Sequence, residues 1–196
     1  MEVVRILLEQ GADTEAKDHF LLQSPLSKAS QGGHAEVCQV LLEHGADVKS
    51  ECVFGNTPLH DANGEEVARV LLEHDADTNA LNRRGQTPLH HMSRFGHLGA
   101  ARALLEHGVD VNTRDADNAI PLHLASDTPY LQDEARTEFV RLLLQYGSDI
   151  HARDNEGRTP SMRATVGPTV YPPPVERRRR GSWEVIKTID SESDTL

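Results

Sequence analysis

A twelve-residue run recurs along this chain, and a chain built that way folds as a row of similar units rather than around one central core. Glu2-Val3-Val4-Arg5-Ile6-Leu7-Leu8-Glu9-Gln10-Gly11-Ala12-Asp13 returns at Glu36 to Asp47, at Glu66 to Asp77, more loosely at Gly99 to Asp110, and at Glu138 to Asp149. A second block alternates with it: Ser24-Pro25-Leu26-Ser27, Thr57-Pro58-Leu59-His60, Thr87-Pro88-Leu89-His90, Ile120-Pro121-Leu122-His123 and Thr159-Pro160-Ser161-Met162. The prolines are spaced by 33, 30, 33 and 39 residues.

Each block has a mechanical meaning. Thr-Pro opens a helix, because the threonine oxygen can cap free backbone donors and proline at the first helical position has no N–H to leave unpaired. In the other block Val37, Val40 and Leu41, and Phe139, Val140, Leu143 and Leu144, form a broad helical stripe. Gly11, Gly45, Gly108 and Gly147 follow these stripes at a stop that calls for positive φ. The unit reads as helix, short turn, helix, glycine stop and an extended connection.

Gly-x-Thr-Pro-Leu-His followed by Ala, Gly-His, Leu-Leu and Gly-Ala-Asp resembles the ankyrin repeat, and Gly85 to Asn112 is the nearest copy within the chain. The resemblance covers residues 1–164, in units at about 1–17, 18–50, 51–80, 81–113 and 114–152 with a partial one at 153–164. It implies an all-α solenoid of paired antiparallel helices, with β-hairpin-like fingers between units and a concave face of fingers and first helices that binds proteins. It also implies no active-site pocket.

Departures from the pattern carry expectations of their own. The third unit lacks three residues after Asn63-Gly64, so its first helix should be short, and it has Asp75 where the others have glycine. Asp127 to Asp133 holds extra residues, expected to form an exposed loop. Met1 leads straight into a second helix, leaving Val3, Ile6 and Leu7 without their covering helix; this reads as a piece of a longer array. The helix begun at Thr159-Pro160 is expected to act as a partial cap.

Composition narrows the functional classes. Aromatic residues make up 4% of 196 residues, so leucine, valine and alanine must carry the packing. The net charge of −11 lies wholly on residues 1–167, which repel phosphate backbones and anionic lipid. Cys38 and Cys52 make no disulfide framework, which points to the cytoplasm, with the nucleus as the alternative. Cys38 is expected to be buried and Cys52, in a finger, exposed.

Eleven histidines invite a metal reading, but eight fall at repeat positions: His60, His90 and His123 after Pro-Leu, His34 and His97 in the Gly-His turn, and His44, His74 and His107 before the stop. Equivalent copies lie on successive units rather than around one point, so they are read as backbone hydrogen-bonding groups, with no metal site. Most carboxylates occupy repeated solvent or turn positions, and no catalytic set emerges. The expectation is a protein-binding scaffold that is not an enzyme, needs no cofactor, and is a monomer. Nucleic acid, membranes and small-molecule substrates are not expected partners.

Partner-facing candidates lie at the finger tips and on the inner face of the first helices: Phe20, Leu21, Lys28, Val53, Phe54, Asn56, Arg83, Arg84, Gln86, His91 and Arg94. Phe20 and Phe54 either face a partner or fold back onto the next finger. Arg83, Arg84 and Arg94 favour a partner that is apolar with an acidic border. Residues 165–196 change character: Tyr171-Pro172-Pro173-Pro174 reads as polyproline and the charged, serine-rich remainder as disorder. Arg179-Arg180-Gly181-Ser182 resembles a basophilic kinase site, with Ser182 the acceptor, and Arg177 to Arg180 also fits an import signal.

Overall fold

A computed structural model describes residues 2–166, 176–179 and 182–185. Its helices follow the repeat: α1 (Glu2–Glu9), α2 (Pro25–Gln31), α3 (Ala35–Glu43), α4 (Glu65–Glu73), α5 (Pro88–Phe95), α6 (Leu98–Glu106), α7 (Pro121–Asp127), α8 (Asp133–Gln145) and α9 (Pro160–Val166). α2 packs on α3, α5 on α6 and α7 on α8 within units, while α1 meets α3, α3 meets α4, α4 meets α6, α5 meets α7 and α7 meets α9 between units. Layers of helix pairs stacked in this way make an all-α solenoid. Two short strands, β1 (Glu176–Arg179) and β2 (Ser182–Val185), pair antiparallel with Arg179 opposite Ser182.

Small aliphatic side chains form the core because each layer is thin. The leucine after each helix-opening proline (Leu26, Leu59, Leu89, Leu122) is buried against Leu41, Leu71, Leu104 and Leu143 of the second helices. Ala100, Ala101 and Ala103 let α6 approach its neighbours closely. Val3, Ile6 and Leu7 are exposed on α1, which buries none of its residues.

The second helices stop as their sequence implies. Gly45 has φ of 85° and Asp75, at the same register, has φ of 59°. A left-handed conformation crowds the Cβ that aspartate carries and glycine lacks. The third unit's first helix is shorter than expected: Pro58 to Asp61 is a single turn with no α-helix, tied to the previous unit by Asn63 N–H donating to the Ser30 carbonyl at 3.0 Å.

The segment after α7 is a loop exposed at Pro129, Tyr130 and Gln132, as expected, but it is anchored to the stack at Thr128 and Leu131. Thr128 is buried and its hydroxyl donates to the Arg94 carbonyl. Arg136 Nη2 clamps the loop by donating to the carbonyls of Thr128 (3.0 Å) and Leu131 (3.1 Å). Leu131 lies over Gly96, where a Cβ would come within 2.2 Å of its side chain. The rest of the insertion lengthens α8 to 13 residues, against 9 in α3, α4 and α6. At the far end α9 covers α7, and its Arg163 side chain is buried in an ion pair with Asp154 at 2.9 Å.

Replacing Asp75 by glycine removes the left-handed penalty and should raise unfolding stability by about 1 kcal/mol. A urea titration of Asp75→Gly reads this directly; a midpoint unchanged or lowered contradicts the strain.

Candidate partner-binding face

A buried histidine joins each of the third, fourth and fifth units to the one that follows. His60 Nδ1 accepts from the Thr57 N–H (3.1 Å), and its Nε2–H donates to the Gln86 carbonyl of the following unit (3.0 Å). His90 does the same between Thr87 (3.3 Å) and Ala119 (3.0 Å), and His123 between Ile120 (3.2 Å) and Arg158 (3.0 Å). One nitrogen must accept while the other donates, so each ring is neutral in a single tautomer. The threonine hydroxyls of Thr57 and Thr87 bond to these same Nδ1 atoms (3.0 and 2.9 Å), so each histidine ring pairs with both the hydroxyl and the amide of the threonine three residues before it. At the second helices, His44 and His74 Nδ1 donate to the Val40 and Val70 carbonyls.

The fingers are linked edge to edge by single backbone bonds: Val53 N–H to Leu21 O, Arg83 N–H to Phe54 O, Ala116 N–H to Arg84 O and Asn155 N–H to Asp117 O, at 2.9 to 3.2 Å. Each finger is closed at its base. Asn82 Oδ1 accepts from the Arg84 and Gln86 amides, Asp115 Oδ1 from Asp117 and Ala119, and Asp154 Oδ1 from Glu156 and Arg158. Asp18 serves the first finger through Phe20 and Leu21.

This geometry sorts the candidate residues. Asn56 and Gln86 are buried at the finger bases, not displayed: Asn56 Oδ1 accepts from Asn82 Nδ2 (3.0 Å), Asn56 Nδ2 donates to Asp61 Oδ1 (3.0 Å), and Gln86 Nε2 donates to Asp115 Oδ2 (3.3 Å). Cys52 is likewise buried, a correction with a clear cause. It stands in the register of Asn82, Asp115 and Asp154, whose side chains all turn inward, and burial pushes its thiol pKa up. Cys38 is buried as expected.

His91 is half-buried and locked, its Nδ1–H donating to the His60 carbonyl (2.9 Å) while Nε2 accepts from Asn56 (3.1 Å). Lys28 is exposed but ion-paired with Asp18 at 2.6 Å, and that hydrogen bond, with the Leu21 amide, holds the Asp18 carboxyl at about 2. Arg94 is half-buried, and Arg83 and Arg84 are exposed at the third finger. Phe20 is 76% exposed and Phe54 39%, so both face solvent; Leu21 and Val53 are half-buried beneath them. Leu22, which follows Phe20 and Leu21 in the first finger and is held at φ of 53°, is exposed as well, and so is Leu81, which was not among the candidates. Ser182 opens β2, and its Arg180 and Gly181 neighbours lie outside the described residues, as does the Tyr171 to Pro174 segment.

Among the described residues no group of three or more His, Cys, Asp or Glu side chains is placed to hold a metal, and no helix is long and apolar enough to cross a membrane. An open groove of about 510 Å³ lies on the second-helix side, lined by residues of α1, α3 and α4 such as Arg5, Gln39 and Val70, and none of the finger candidates lines it.

Stacked helix pairs, histidine bridges between units and tethered fingers define a helical-repeat solenoid. The chain belongs to the ankyrin-repeat family: the family described as ankyrin repeats (3 copies) matches residues 1–82 and 63–154. The chain is 41% identical over 63 residues to the B-cell lymphoma 3 protein homolog of Mus musculus, covering 32% of this chain and 14% of that one. A putative ankyrin repeat protein of fowlpox virus is 34% identical over 61 residues (31% and 13%). The transient receptor potential cation channel subfamily V member 5 of Mus musculus is 36% identical over 72 residues (31% and 10%). The chain thus matches at most 14% of the length of any of these three relatives. Ankyrin repeats generally mediate protein–protein interaction, and the family is typically non-enzymatic.

The histidine bridges make the stack acid-labile. Burial holds His60 at about 4 and His91 at about 3, and lowers His90, His97 and His123. The unfolded chain protonates these rings near pH 6.5, so their stabilisation is complete above that pH and is lost as pH falls toward the folded values. His60 and His91 alone each remove about 2 kcal/mol between pH 7 and pH 5. Asp61, raised to about 6 by burial, opposes this by about 1 kcal/mol. Urea midpoints should therefore drop clearly from pH 7 to pH 5; a flat profile would show that the rings are not held neutral.

Proposed function

We propose that the chain is a non-enzymatic scaffold that binds a protein partner across its first three fingers. The observation that carries the reading is the exposure of Phe20 and Phe54 on consecutive fingers joined by the Val53 to Leu21 backbone bond. Solvent-facing aromatic side chains on rigid supports lose little conformational freedom on binding and bury much area, which is how hot spots form. Leu22 and Leu81 widen the apolar strip, and Arg83 borders it. The partner that fits is an apolar surface or segment with acidic residues at its edge. The acidic body disfavours nucleic acid.

Support for this reading also comes from the separation of roles along each finger. The bases are buried in hydrogen bonds that hold the fold, so the tips are free to vary without loss of the stack.

Paired Phe20→Ala and Phe54→Ala substitutions should lower partner capture at least tenfold while changing unfolding stability by no more than about 0.5 kcal/mol. Arg83→Glu should weaken capture more at low salt than at high salt. Loss of stability with capture intact would return the two phenylalanines to a structural role.

A further inference from the structure

Asp61 occupies the inner-face register held by Lys28, His91 and Leu124 in neighbouring units. It is only 7% exposed. Its Oδ1 accepts from Asn56 Nδ2 at 3.0 Å, but the buried Oδ2 lacks a well-formed hydrogen bond and has only the weaker approach of the Gln23 amide. Among the described residues no lysine, arginine or histidine lies within ion-pair distance of it. A buried carboxylate oxygen short of a well-formed hydrogen bond opposes folding of whatever holds it.

What holds it is a turn rather than a helix. The turn Pro58 to Asp61 stands where the other complete units have a helix, and the same unit carries the strained Asp75. The groups facing Asp61 come from every side of this turn. The second finger's own base supplies Asn56 and the Cys52 thiol, whose pKa the Asp61 charge helps to raise. The first finger supplies the Gln23 amide, α5 supplies His91 through Asn56, and the turn itself supplies His60. Lys28 on α2 is committed to Asp18.

We propose that this third unit is a proton-operated joint: with Asp61 ionised the Pro58–Asp61 turn opens from its neighbours, and with Asp61 protonated it closes. Protonation removes the buried charge and turns Oδ2 into an O–H donor. The Gln23 amide can present its oxygen to that donor by turning end over end. Opening breaks the bonds that cross the joint, Asn63 N–H to Ser30 O and His60 Nε2–H to Gln86 O, both 3.0 Å. It would change the spacing of the Phe54 finger from those of Phe20 and Arg83 without touching any tip residue. The joint does not depend on the identity of any partner.

Burial pushes the Asp61 carboxyl up to about 6 in the closed joint, against the lowering effect of Asn56 and Gln23. In the open joint it returns to the ordinary aspartate range, so opening is easiest above pH 6 and grows harder as pH falls from 6 toward 4. His60 and His91 act with the opposite sign, since they stay neutral when closed and take up protons when open. Comparing the chain with Asp61→Asn at each pH cancels them.

The test is amide hydrogen exchange at His60 and Asn63, corrected for intrinsic rates. At pH 7.5 Asp61→Asn should exchange about 10²-fold more slowly than the unaltered chain, and the gap should narrow to about tenfold at pH 5. Equal rates at pH 7.5, or a gap that does not change with pH, overturns the joint. If Asp61→Asn does not fold, the carboxyl carbon resonance of Asp61 in the unaltered chain decides: a midpoint near 6 supports the proposal, and one at or below 4 overturns it.

Discussion

The stack depends on a neutral imidazole that accepts on one side and donates on the other. His60, His90 and His123 each hold the first turn of their own unit through Nδ1 and reach the next unit through Nε2, so local helix geometry and inter-unit register are set by the same ring. Without that coupling the finger-to-finger backbone bonds would still tie the units at their edges, but no buried polar group at the helix starts would help fix how far one unit slides past another. Burial in turn keeps the ring neutral. Where the histidine is absent, as at Ser27, a Ser24 to Ser50 hydroxyl pair at 2.9 Å ties the start of α2 to the end of its own unit.

Residues whose role is local were legible in the sequence. Proline marked helix starts, and glycine marked the stops together with Asp75, which adopts the glycine conformation because its neighbours on both sides are repeat-encoded. The histidines were legible because their spacing placed them on successive units, where they bond backbone groups of the next unit. Roles set by the neighbouring unit were not legible. Asn56, Gln86 and Cys52 belong to finger bases, but the spacing within one finger does not say where its inward turn begins. That appears only when Asn82, Asp115 and Asp154 are seen to cap their own loops. The insertion after α7 has the same lesson: its polar composition reads as loop, and the Arg136 clamp and the Leu131 contact with Gly96 lie outside any repeat pattern.

Separation of base from tip explains how such a stack can hold its fold and still vary its surface. A substitution at Phe20 or Arg83 meets solvent, whereas one at Asn56 breaks a chain of bonds running through Asn82, Asp61 and His91. The candidate face was therefore partly legible: the tip positions followed from the repeat, while Leu81 was missed because no motif distinguishes its position.

Nearest-neighbour packing also decides where the solenoid can yield. In such an array, stability is close to a sum of unit and interface contributions, so a defect is not averaged over the whole chain. Unit three concentrates several: a first helix reduced to one turn, an aspartate in the left-handed region, and a buried carboxylate short of a donor. Complete helix pairs flank it on both sides, at α2 with α3 and at α5 with α6. Bending is therefore expected between those blocks, at the unit that carries the Phe54 finger and that links the apolar tips on one side to the arginine tips on the other.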